Sequence, residues 1–296
     1  MLPRMSAVSP VTTVVLTAFT LVAFASNSIL CRLALGNGAI DAASFTIIRL
    51  VSGAVALSII LRASHRADAA PAGSRWISAF MLFLYAITFS FAYITLQTGT
   101  GALILFAAVQ ITMILMAMAA GARLLVIEWI GMVVAFAGLV YLVLPGVSAP
   151  SFGGFCLMAV AGSAWGVYTM RGKGSATPLV DTARNFVRTL PFTAVVALFA
   201  IKSGHLSPPG VALAVASGAI ASGVGYTVWY MALRGLSAIQ AAVVQLFVPV
   251  IAALGGVVFM SEEISLRLVV AAVMTLGGIL MVVLGHFYAL RWKGLA

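Results

Sequence analysis

Ten apolar runs, each about the length needed to cross a bilayer, follow one another along this chain, at 11–32, 44–61, 77–97, 101–119, 126–145, 153–171, 184–201, 211–232, 238–259 and 267–288. A spanning helix needs ~20 apolar residues, and hydrocarbon admits only helices or closed barrels, because every backbone polar group must be satisfied internally. Turn-forming breaks separate the runs: Gly36-Asn37-Gly38, Pro71-Ala72-Gly73, Pro145-Gly146, Gly172-Lys173-Gly174 and Pro208-Pro209-Gly210. Between the third and fourth runs the expected break is Thr98-Gly99-Thr100. Fused, those two would exceed 40 residues, too long for one crossing.

Composition closes the soluble alternatives. Charged residues make up 7% of 296 positions and hydrophobic ones 63%, where a soluble domain carries about 25% charged. That excludes a cytosolic enzyme, a disordered tail and a disulfide-stapled secreted domain. The net charge of +10 would fit nucleic acid only if the bases formed a stripe. They stand singly between apolar runs, so no nucleic-acid partner is expected.

The bases instead set topology. With the N-terminus inside, twelve fall on the inner side: Arg4, Arg62, Arg66, Arg75, Arg123, Arg171, Lys173, Arg184, Arg188, Arg234, Arg291 and Lys293. Four fall outside: Arg32, Arg49, Lys202 and Arg267. The positive-inside rule then puts both termini in the cytoplasm. Ala23-Phe24-Ala25 mimics a signal-peptidase site, but the apolar run continues through Ile29-Leu30. Cys31 and Cys156 both lie near expected outer helix ends. They are read as packing residues, with a bridge open only if those ends meet.

The chain repeats itself. Tyr93 and Leu96 align with Tyr230 and Leu233, Ala137-Gly138-Leu139 with Gly277-Gly278-Ile279, and Phe24–Asn27 with Trp165–Tyr168. This predicts two five-helix halves, 1–147 and 148–296. Five is odd, so the second half enters from the opposite side. Such inverted repeats characterise secondary transporters, with a substrate site near the midplane between them.

At these residues the chain resembles the drug/metabolite transporter superfamily in its ten-helix EamA branch. The resemblance is carried by Trp165-Gly166-Val167-Tyr168, Tyr230-Met231-Ala232-Leu233, Pro249, Glu262-Glu263 and Gly277-Gly278 in the second half, and by Asn27, Arg49, Gly131 and Gly138 in the first. The first half departs at Phe24-Ala25, Gln110 and Arg123. The resemblance implies an all-α basket: helices 1–4 and 6–9 surround a central cavity, with helices 5 and 10 outside. It implies a bacterial-type inner membrane and export of small metabolites. Exporters of aromatic and other amino acids are the nearest fit, and a multidrug or lipid-like metabolite exporter is the alternative. A monomer is expected, because one chain holds both halves. No cofactor or metal is expected.

The polar inventory narrows the mechanism. Asp41, Asp68, Glu128, Asp181, Glu262 and Glu263, with His65, His205 and His286, all fall in loops or at helix ends. Intramembrane acids mark proton relays, so alternating access without a buried carboxylate relay is expected, and an intramembrane protease is not. Neutral polar groups are expected at depth: Asn27, Thr95, Gln97, Gln110, Ser222, Gln240 and Gln245. Amides suit a zwitterion; equally, they can tie helices together. Tyr85, Trp165, Tyr168, Tyr226 and Tyr230 are candidate cavity walls, with core packing the alternative. Tyr226 and Tyr230 share a helix face.

Trp76, Trp129, Tyr141, Tyr288 and Trp292 fit an interfacial belt. Arg49 is read as snorkelling outward, or as partner to a substrate carboxylate or a helix C-terminus. Glu262 and Glu263 are expected to cap a helix or pair with Arg267. Pro191 and Pro249 are expected to interrupt helices 7 and 9 as hinges.

Overall fold

The computed structural model describes residues 10–64, 76–121, 124–146, 149–172, 175, 177–200, 204–236 and 238–292. Expectations resting on Arg4, His65, Arg66, Asp68, Pro71-Ala72-Gly73, Arg75, Arg123, Lys173, Lys202 and Lys293, and on the 147/148 boundary, lie outside these residues. So do those on the side chains of His286, Tyr288, Arg291 and Trp292.

The described residues form ten helical segments, numbered here as spans. Spans 1–7 are α1 (Pro10–Gly36), α2 (Ala42–Ala63), α3 (Trp76–Ala92), α4 (Thr98–Ala119), α5 (Val126–Val143), α6 (Phe152–Gly172) and α7 (Pro178–Ala200). Span 8 joins α8 (Pro208–Val215), a π-helical stretch (Ala216–Val224) and α9 (Gly225–Ala232). Span 9 joins α10 (Ala238–Gln245) and α11 (Val248–Met260), and span 10 is α12 (Leu266–Trp292). The described residues hold no strand, only an isolated bridge between Ile40 and Leu206.

Eight spans are long and apolar enough to cross a membrane. α3 is shorter, at 17 residues. α7 is more polar because Asp181, Arg184, Asn185 and Arg188 lie on it. It therefore starts before its apolar run, at Pro178. Proline suits a first turn, where its missing N–H costs nothing, and Asp181 there opposes the positive end of the helix dipole.

Side chains set other ends locally. Asp41 accepts the Ser44 N–H at 2.9 Å to cap α2, and Glu128 accepts the Leu125 N–H at 2.5 Å at the start of α5. The break between spans 3 and 4 lies at Tyr93–Gln97, and Thr98 already belongs to α4. Pro191 does not interrupt its helix: α7 runs through it. Pro249 does follow a break, standing at the first turn of α11 after the turn at Leu246-Phe247.

The packing shows the duplication. α3 packs on α6 as span 8 packs on α1. α4 packs on α6 as α11 packs on α1, and α3 on α7 as span 8 on α2. The pairs α2–α7, α4–α11 and α5–α12 complete the set. Moving every helix five places along returns these principal pairs, the pattern expected of a duplicated arrangement.

α5 and α12 pack chiefly on each other, and glycine permits their contact. A Cβ on Gly131 would stand 2.5 Å from the Gly278 carbonyl oxygen, and one on Gly278 would strike the Gly131 carbonyl in return. Gly162 lets α6 approach the Leu105 carbonyl of α4, where a Cβ would stand at 2.5 Å. This is close packing through small residues, which membrane helices need because lipid supplies no hydrophobic drive between them. Val14, Phe19, Val133, Phe136, Val258 and Phe259 stay exposed, as a lipid-facing surface requires.

Candidate functional site

α1, α2, α3, α6, α7 and span 8 enclose a column of aromatic rings. Trp165 is its hub. Its ring centroid lies 4.9 Å from Tyr85, 5.2 Å from Tyr168 and 5.3 Å from Tyr226, the last two stacked. Phe24 and Phe186 meet the Tyr226 ring at 5.8 and 6.1 Å. Phe89 lies 5.4 Å from Tyr85 and 4.8 Å from Tyr93. At the other end the Tyr168 hydroxyl accepts from Asn185 Nδ2 at 3.4 Å, and Tyr230 shares a hydrogen bond with Thr182 at 2.9 Å. Four of the five expected aromatic residues thus meet directly, and Tyr230 lies one turn beyond Tyr226 on the same helix face. Both halves contribute rings.

Arg49 is the largest departure from expectation. It does not snorkel. It is 2% exposed, seven residues into α2, or about 10 Å along a helix rising 1.5 Å per residue. Nη2 donates to the Tyr85 hydroxyl at 2.9 Å. The guanidinium carbon lies 5.1 Å from the Tyr85 centroid and 4.9 Å from that of Phe89. Nη1 is buried with no hydrogen-bond partner. The inward face prevails because Gly218 and Gly53 bring span 8 against the backbone of α2. A Cβ on Gly218 would strike the Arg49 carbonyl and the Ser52 hydroxyl. Read from sequence as an outer-side base, Arg49 is therefore a buried cation against the aromatic column.

Asn27 works as a clamp. Its Oδ1 accepts from Ser217 at 2.8 Å and from Ser222 at 3.4 Å. Those serines are five apart, which an α-helix would place on different faces. The π-helical stretch bonds i to i+5 and brings both hydroxyls to one oxygen.

The other expected polar groups divide. Gln110 is buried on α4. Gln245 is half-buried and donates to its own helix at the Ala241 carbonyl, 3.1 Å away. Neither takes part in the ring contacts and hydrogen bonds described for the column. Thr95, Gln97 and Gln240 are exposed at span ends, not at depth. Trp76 and Trp129 are exposed at helix starts, as belt residues should be. Cys31 is buried and Cys156 exposed, both free, so the two do not bridge.

The end of the bundle far from the chain termini is tied together. Arg32 Nε meets Glu262 Oε1 at 3.2 Å, and its Nη1 donates to the Tyr93 and Ile94 carbonyls, each at 3.1 Å. Glu262 Oε2 accepts the Thr98 N–H at 2.8 Å, at the start of α4. One ion pair thus joins α1, the end of α3, the start of α4 and the turn after α11. The expected Glu262–Arg267 pair does not form: Arg267 donates to the Leu142 and Leu144 carbonyls at the end of α5. Nearby, Asp41 accepts the His205 N–H at 3.1 Å and Ser207 donates to the Ala39 carbonyl at 2.6 Å.

Sequence reading missed Phe24, Phe89, Thr182, Asn185 and Phe186. A turn's spacing was the available signal: Phe89 lies four after Tyr85, and Thr182, Asn185 and Phe186 follow i, i+3, i+4.

Ten membrane helices in two exchangeable halves, meeting at a buried polar and aromatic column, define a transporter of the inverted-repeat class. Residues 152–284 match the EamA-like transporter family. An uncharacterized protein of Pseudomonas aeruginosa is 48% identical over 270 residues, covering 91% of this chain and 94% of that protein. A crystal structure of another protein, at 20% identity, superposes with a TM-score of 0.61 over 90% of this chain and 98% of its own. The chain belongs to the EamA-like transporter family, within the drug/metabolite transporter superfamily, whose members are transporters rather than enzymes.

Proposed function

We propose that this protein exports small zwitterionic metabolites, namely amino acids, aromatic and other neutral ones, across a bacterial inner membrane with both termini in the cytoplasm. The observation that carries the reading is the composition of the column. Rings from both halves surround one buried guanidinium, a set matched to a small, partly apolar molecule that bears a carboxylate. The positive-inside count supports the orientation and makes the Arg32–Glu262 end the outer one. The acids described support a mechanism without a buried carboxylate relay. Asp41 and Glu128 cap helices, Glu262 holds Arg32, and Asp181 accepts from Ser175 at 2.5 Å in the first turn of α7. The break before Pro249 supplies a hinge where span 9 can bend as the halves rock. The protein acts as a monomer, since each half of the site comes from the same chain.

A multidrug or lipid-like exporter is the second reading. A groove of about 360 Å³ between α1, span 8 and α11, lined by Phe19, Val22, Ile220 and Phe259 among others, favours it. Efflux from proteoliposomes loaded with radiolabelled amino acids separates the two. Saturable efflux of phenylalanine or tryptophan, unchanged by a pH gradient, is expected. Efflux of hydrophobic cations alone, or gradient-driven accumulation of amino acids, contradicts the proposal.

A further inference from the structure

Arg49 is a permanent charge buried without a counter-ion among the described residues. A guanidinium offers five donors in a planar fork that fits a carboxylate, and burying such a charge is costly unless it is paired. Here the fork has one hydroxyl, two ring faces and a buried nitrogen with no hydrogen-bond partner among the described residues. Among the described acids, Asp41 sits at the start of α2, Glu128 in its cap and Glu262 on Arg32, while Asp181 accepts from Ser175 and keeps its other oxygen at the Tyr168–Tyr230 end of the column. Glu263 is exposed at the far end. The unmatched group beside Tyr85 and Phe89 is a cation, so the component that end of the column lacks is an anion.

Its class follows from the surroundings. Arg32 is held by Glu262, and Arg188 lies over Trp76 at 6.0 Å, at the start of α3. One base suits a monoanion and leaves a phosphate dianion half-neutralised. The walls around it are Tyr85, Phe89, Trp165 and Tyr226, which favour a flat apolar body. The hydroxyl of Tyr85 accepts from Arg49 and holds it against these rings.

We propose that Arg49 is the anchor for the substrate carboxylate, and that this carboxylate, rather than the amino group, decides what the column accepts. The inference rests on the transport reading above and extends it: aromatic monocarboxylates without an amino group are ligands, and aromatic amines without a carboxylate are not.

The test measures binding of tryptophan, indole-3-acetate and tryptamine to purified protein in nanodiscs by radioligand equilibrium, with thermal unfolding as the folding control. Tryptophan and indole-3-acetate should bind within about tenfold of each other, and tryptamine at least ~30-fold more weakly, as loss of a charge-assisted contact implies. Arg49→Gln should cost both carboxylates about 30-fold, and Arg49→Lys should restore part of the loss. Tyr85→Phe frees the guanidinium and should tighten both carboxylates. Tyr85→Phe also keeps the charge, so it reports on the anchor even where Arg49→Gln fails to fold.

Tryptamine binding as tightly as indole-3-acetate, or Tyr85→Phe weakening both carboxylates equally with tryptamine, overturns the anchor and leaves the transport reading standing. Failure of all three molecules to bind the folded wild type overturns both.

Discussion

Replacing Glu262 with alanine should open the far end of the bundle. Glu262 makes two contacts at that end: the Arg32 guanidinium at 3.2 Å and the Thr98 N–H at 2.8 Å. The Thr98 contact is a charge-assisted bond at a helix start, worth about 1.5–2 kcal/mol once one partner is gone. The Arg32 side chain is 22% exposed and that of Glu262 11%, so screening limits the ion pair to about 0.5–1 kcal/mol. Arg32 keeps its two carbonyl acceptors, at Tyr93 and Ile94, which moderates the loss. About 2–3 kcal/mol against the closed arrangement raises the open population roughly 30- to 150-fold.

A native reporter lies beside this latch. Cys31 adjoins Arg32, is fully buried, and lies close to Ser90 and Arg49. In a Cys156→Ser background, a membrane-impermeant maleimide added to intact cells should label Cys31 slowly in the otherwise unchanged protein. Labelling should be tens of times faster after Glu262→Ala. Equal rates in the two folded proteins would refute the assignment of this ion pair as the tie that holds the far end shut.

Other perturbations read other parts of the fold. Gly278→Val drives a side chain into the Gly131 carbonyl and the Ala135 backbone, so it should cost about 1–3 kcal/mol and lower the unfolding temperature in detergent. Gly277→Ala meets open space inside α12 and should hold or raise that temperature, since Ala favours a helix interior over Gly by about 0.5–1 kcal/mol. Asn27→Ala leaves the Ser217 and Ser222 hydroxyls without their shared acceptor. The cost is about 1–3 kcal/mol, and amide exchange should rise within Ala216–Val224 before the rest of span 8. Gly218→Ala pushes span 8 away from Arg49 and Ser52, so transport should fall further than stability does.

The spans were legible because hydrocarbon imposes one rule on the whole chain, and an apolar run of sufficient length satisfies it wherever it lies. The repeat was legible because glycines and aromatics recur in order. What the runs could not show is which face of a helix turns inward. Arg49 follows Ile47-Ile48 and precedes Leu50-Val51, a context equally suited to snorkelling. Its burial depends on Gly53 and Gly218, the latter 169 positions away.

Pairing at a distance is hidden in the same way. Arg267 is near Glu262 in sequence, yet the partner is Arg32, because the turn after α11 folds over the end of α1. The apolar run at 184–201 starts later than α7 because the first turns of α7 are polar, and average hydropathy blurs an amphipathic start. The π-helical register of span 8 has no signature in residue type. The shared acceptor, Asn27, accounts for the five-residue spacing of Ser217 and Ser222.

The most direct measurement of the central claim is radiolabelled tryptophan efflux from proteoliposomes containing the purified protein, in parallel with Arg49→Gln. Saturable efflux in the unaltered protein, slowed about 30-fold or more by Arg49→Gln at subsaturating substrate, is the predicted result. Efflux that the substitution leaves untouched, or folded protein that releases no amino acid, would contradict the account.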